Sequence, residues 1–195
     1  MKKAPIIFST LLLASSLSFA HGDGANTSAK IAELSVHRID RLVTLNKIDP
    51  SFMKNTVRVE VADVENQAPV AFKVMVSQTQ PANGNPLQIA MSFDKDGKPL
   101  AFQSVDGGTA GPDSAWPGAD SVTLTENALH YLLDNPTDAT AAPFYDDLGS
   151  VEIAKANLSG QDVAVAHMTT MDGLKKLNVY LKLDGTLIKA EAVRK

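Results

Sequence analysis

Between Ser28 and Ile48 apolar residues recur at helical spacing. Ile31, Leu34, Ile39, Leu42, Val43 and Leu45 share one broad face, and Glu33, His37, Asp40 and Thr44 lie on the other. Thr27 or Ser28 supplies the cap. Asp49-Pro50 supplies the stop, because a proline ring disfavours helical geometry at the residue before it. The period then changes to two. Val57, Val59 and Val61 alternate with Arg58 and Glu60, and Val70, Phe72, Val74 and Val76 alternate with Lys73, Met75 and Ser77. Leu87, Ile89, Met91 and Phe93 form a third apolar face, and Asp96-Gly97 turns the chain into a fourth strand carrying Leu100 and Phe102. Such alternation predicts strands with one buried and one wet face, as in an antiparallel sheet.

The stretch 106–122 is rich in Gly, Asp and Pro and reads as a linker. After it the first pattern returns. Thr123-x-x-Glu126 has the form of a capping box, and Leu124, Ala128, Leu129 and Leu132 predict a shorter helix stopped by Asn135-Pro136. A second Asp-rich loop, about 137–149, leads to strands over 151–156, 163–170, 174–183 and 187–193, with Asp172-Gly173 and Asp184-Gly185 as turns. Spacings support an internal repeat. His37 and His130 are 93 apart, as are Pro50 and Pro143; Val57 and Val151 are 94 apart, as are Gln67 and Gln161. The fold class expected is α+β, with two similar helix-plus-antiparallel-sheet halves, 28–105 and 123–195. Each half has about four strands and one helix packed on its sheet. Leu42, Val59, Phe72, Ile89, Leu129, Ile153, Val179 and Leu181 are the expected core.

Composition changes this picture at the N-terminus. Lys2 and Lys3, the apolar run from Ile6 to Ala14 broken only by Ser9 and Thr10, and the small residues of Ser18-Phe19-Ala20 read as a signal peptide over 1–20. The expected address is the bacterial periplasm, with a polar, flexible tail at 21–27. Cleavage after Ala20 removes two of the eighteen basic residues and leaves the twenty-two acidic ones, a net charge of −6. That balance argues against nucleic acid, which needs Lys and Arg to neutralise phosphates. No later segment has the apolar length of a membrane span. The chain has no cysteine, which excludes disulfides, thiol catalysis and thiolate-bound metals.

Two segments carry a family resemblance. Met91-Ser92-Phe93-Asp94-Lys95-Asp96-Gly97-Lys98-Pro99-Leu100 and Tyr180-Leu181-Lys182-Leu183-Asp184-Gly185-Thr186-Leu187 each read as strand, Asp-Gly turn, strand. In this plan the chain resembles tandem PepSY-like and cystatin-like α+β modules of bacterial envelope proteins. The resemblance implies a binding, inhibitory or regulatory role in the periplasm and assigns no residue a role.

Candidate chemistry is sparse. The chain lacks a G-x-S-x-G elbow, an H-E-x-x-H pair, a Walker A loop and a dinucleotide fingerprint. Asp94-Lys95-Asp96-Gly97 places its Gly fourth rather than sixth and has Val105 at the twelfth position, so it reads as a turn and not a calcium loop. The linker holds the only tryptophan, Trp116, and with Asp113 and Asp120 it is a candidate ligand or partner loop. His21 heads the expected mature chain. Its α-amine and imidazole together can chelate copper, with His37, His130 or His167 completing the site, since amine and imidazole suit Cu(II). His167 has two readings. Local alternation groups it with buried Val163 and Val165, whereas the repeat pairs it with Lys73 on the wet face and places Ala164, Ala166 and Met168 inside. The function expected is a soluble, non-catalytic periplasmic binding or accessory module for a small ligand or an envelope protein. The alternatives are a copper-binding protein using His21, and an enzyme with its site in the Asp-rich loops.

Overall fold

A computed structural model gives the fold and describes residues 26–54, 57–79, 87–105 and 118–193. The helices are α1 (Ser28–Thr44), α2 (Ser51–Lys54), α3 (Ser121–Asp134) and α4 (Ala142–Tyr145). The strands are β1 (Val57–Asp63), β2 (Phe72–Gln78), β3 (Gln88–Phe93), β4 (Pro99–Val105), β5 (Leu148–Leu158), β6 (Gln161–Thr170), β7 (Lys176–Leu181) and β8 (Leu187–Ala192). The expected signal peptide and residues 106–117 of the expected linker lie outside the described residues.

The expectation of two separate helix-plus-sheet halves is overturned. All eight strands form one antiparallel sheet in the order β4-β3-β2-β1-β5-β6-β7-β8. The join is the β1–β5 pair, where Arg58 faces Glu152, Val59 faces Val151 and Glu60 faces Ser150. Hydrogen-bonding β1 to β5 satisfies a row of backbone groups that two isolated sheets would each leave unpaired at an edge. It also merges the apolar faces. Both long helices lie on the same side, α1 against β1 and β2 and α3 against β5 and β7, and they pack on each other. The buried side chains form one continuous core. The repeat persists as symmetry inside this single sheet. The strand order mirrors itself about the join, and Arg58 faces Glu152, its counterpart 94 positions on.

All eight residues expected in the core are buried, Phe72 the least so at 8% exposure. Helix ends differ from expectation for local reasons. α1 stops at Thr44 rather than near Ile48, because Asn46 takes a left-handed conformation with φ of 52°. Lys47 N–H then donates to Leu42 C=O and Asn46 N–H to Val43 C=O, the paired bonds of a Schellman ending. Leu45 is left 54% exposed rather than on the buried face. α3 starts at Ser121, two residues before the expected capping box. Its cap is Asp120, whose Oδ1 accepts the Thr123 N–H at 2.8 Å. The second Asp-rich loop contains α4, which buries Phe144.

Both helices are tied across the join. The Leu148 N–H donates to Ser28 Oγ at 2.6 Å, and Ser121 Oγ donates to the Met53 carbonyl at 2.9 Å. The β3–β4 turn closes as expected, with Asp94 Oδ1 accepting from the N–H groups of Asp96 and Lys98. Gly97 takes φ of 74° there, and a Cβ at that position would come within 2.8 Å of Asn26 Nδ2. Asn26 itself donates to Lys95 C=O, so the described end of the expected tail rests on this hairpin.

Candidate functional site

α1 and α3 each carry a Glu and a His one turn apart, Glu33 with His37 and Glu126 with His130. Residues four apart stack on one helix face. The two helices pack so that these faces meet, and four polar atoms converge. His37 Nε2 lies 3.1 Å from Glu33 Oε1 and 3.2 Å from Glu126 Oε1. His130 Nε2 lies 3.7 Å from Glu33 Oε1 and 3.8 Å from Glu126 Oε1. Each imidazole therefore faces the same two carboxylates, His37 more closely than His130.

The cluster is graded in depth. The Glu33 side chain is only 6% exposed and Glu126 24%, whereas His37 is 52% and His130 45% exposed. It thus has a carboxylate floor and a mouth of imidazoles open to solvent. The second oxygen of Glu33 is engaged elsewhere, with Lys30 Nζ 2.6 Å from Oε2. This contact is an ion pair rather than a directed hydrogen bond. Burial pushes the Glu33 carboxyl toward the protonated form. The Lys30 ammonium, and then His37 and His130, outweigh burial and hold its pKa below the usual value. Glu33 is therefore an anion at neutral pH.

Only part of this arrangement matches the sequence expectations. His37 and His130, named as separate copper-ligand candidates, come together. His167 does not join them. It sits on the open face of the sheet, exposed, with Nδ1 2.8 Å from Asn178 Oδ1, while Ala164, Ala166 and Met168 are buried on the helix side. The repeat-based placement of His167 is the correct one. Val163 and Val165 are nonetheless buried as well. Asp120 is committed to capping α3. His21, Asp113 and Trp116 lie outside the described residues.

Glu33 was expected on the wet face of α1 and is instead buried. The single-face reading took account of the sheet but not of α3, and a helix with two neighbours buries a wider arc. The signal that could have found the cluster is the motif Glu-x-x-x-His at positions 33–37 and 126–130, repeated at the 93-residue spacing of the two histidines.

Chemically, two carboxylates and two imidazoles can hold a cation or share protons. Among the described residues, no group of three or more His, Asp or Glu side chains is arranged, as it stands, so that it could hold a metal ion. His37 Nε2 stands at hydrogen-bond distance from both carboxylates, and His130 Nε2 only at ion-pair distance. Among the described residues, no helix is long and apolar enough to cross a membrane. Comparison with family models, with curated proteins and with solved structures finds no match for this chain.

Proposed function

We propose that the protein is an exported, non-catalytic binding module of the bacterial envelope, and that the Glu33–His37–Glu126–His130 cluster is its ligand centre. The observation that carries this reading is the convergence of four ionisable side chains from two helices on one small space with a solvent-facing mouth. Here each histidine meets the same pair of carboxylates, which suits one ligand held at the centre. The carboxylate floor favours a cationic ligand. Export rests on the sequence features of residues 1–20 and is checked by intact mass, which should show loss of Met1 to Ala20.

The binding reading is tested by imidazole NMR on the labelled protein. Adding the low-molecular-mass fraction of a periplasmic extract should shift the His37 and His130 ring signals and leave those of His167 in place. Unmoved signals at both cluster histidines would remove the reading.

A further inference from the structure

We infer that the ligand of this cluster is a divalent first-row transition metal, bound by Glu33 Oε1, His37 Nε2, Glu126 Oε1 and His130 Nε2. This inference rests on the cluster being a ligand centre and names the class of ligand.

Three observations point to it. The first is spacing. Metal bonds of about 2.0–2.2 Å to nitrogen and oxygen, in a tetrahedron, separate neighbouring donors by about 3.3–3.6 Å. The four measured nitrogen–oxygen separations are 3.1, 3.2, 3.7 and 3.8 Å, and they bracket that range. Closure requires the His130 ring to approach and the His37 ring to withdraw, each by a few tenths of an ångström. Both rings are about half exposed and have room to move.

The second observation is hydrogen-bond bookkeeping. A neutral imidazole has one N–H, yet His37 Nε2 faces two carboxylate oxygens at nearly equal distance. One proton donates well to only one of them. A dication at the centre would satisfy both oxygens and both nitrogens together. The third observation is charge. Glu33 and Glu126 bring two negative charges, and Lys30 is the cation paired with the buried one. Counting the two carboxylates and Lys30, one negative charge is left over, which a dication reverses.

The donor set narrows the metal. Imidazole suits zinc, copper and nickel, and the absence of sulfur argues against Cu(I). Lys30 occupies Glu33 Oε2, which leaves Oε1 to the metal and fixes the carboxylate as monodentate. Four protein donors complete a tetrahedron and leave no position for a substrate, as in structural rather than catalytic zinc sites. Binding should weaken as pH falls, because protons compete for both imidazoles and both carboxylates.

The test uses the full exported chain, with Zn(II) as the titrant and Co(II) as the optical probe. Wild-type protein should take up one zinc, and Co(II) should give the intense visible bands of tetrahedral coordination. His37→Ala and His130→Ala should each weaken zinc at least tenfold, and Glu33→Gln similarly, whereas His167→Ala should change nothing. Far-ultraviolet circular dichroism checks that each variant is folded, and the two histidine variants are the safer ones because both rings are half exposed. Zinc that survives both histidine variants but is lost with His21→Ala would overturn the inference in favour of the N-terminus. Folded wild-type protein that takes up no zinc and no cobalt at micromolar concentration overturns it outright. In that case, extract stripped of metals on a chelating resin separates the two proposals. If it still shifts the His37 and His130 signals, the binding module stands and its ligand is not a metal. If neither extract shifts them, both proposals fall.

Discussion

The two faces of the central strands treat charge differently. On the open face, Arg58 bridges Glu60 at 3.0 Å and Glu152 at 3.3 Å, with all three side chains more than a third exposed or close to it. On the helix face, Glu33 and Glu126 meet two imidazoles, and Lys30 is the ammonium paired with the buried Glu33. Both clusters lie near the local twofold of the sheet, since Arg58 and Glu152 are themselves repeat counterparts. The open-face charges are compensated within the strands and screened by water, so they contribute little beyond solubility. The helix-face charges are brought together by the packing of α1 on α3, and one of them is removed from water. The first arrangement is a surface ion pair; the second has the form of a binding site.

The comparison can be broken most forcefully on β5, where neighbouring residues point to opposite faces. Ile153, fully buried beneath the helices, should lose about 2–5 kcal/mol when changed to Ala. A denaturant melt measures this, and a loss below 1 kcal/mol would mean the helix face is not the core. A smaller, pH-dependent effect is expected at Glu33. Its folded pKa lies below its ordinary value of 4.5, so its charge contributes stability that is present above that value. That contribution is lost as pH falls through the lower folded value. Glu33→Gln should therefore flatten the acid side of the stability profile below about pH 4.5; an unchanged acid limb would contradict the ion pair with Lys30. Next comes Asp120→Ala, which removes the α3 cap and should cost about 1 kcal/mol. Smallest is Arg58→Ala on the open face, expected at about 0.2–1 kcal/mol and diminished by salt. A cost of several kcal/mol there would reverse the ranking of the two faces.

Much of the fold was legible because strand periodicity is local. Val57, Val59 and Val61 mark β1, and Val151 and Ile153 mark β5, without reference to any partner. Their pairing was not legible. It joins residues ninety or more positions apart, and nothing in a single strand's alternation says whether its edge is free or bonded. The end of α1 was missed because Asn46 in the left-handed conformation stopped the helix before Pro50 could. His37 and His130 are visible as repeat partners, but in the sequence Glu33 reads as solvent-facing and Glu126 as a capping group. Glu126 completes the expected capping-box spacing with Thr123, so a competing local explanation hid its long-range role.

The central claim is that α1 and α3 together build one metal-binding centre. The most direct measurement is an anomalous difference map at the zinc absorption edge, from crystals of the protein grown with zinc. The account predicts a single dominant peak enclosed by Glu33 Oε1, His37 Nε2, Glu126 Oε1 and His130 Nε2. Zinc found only elsewhere, for example at His167 on the open face, with the cluster retaining direct histidine–glutamate contacts, would contradict it.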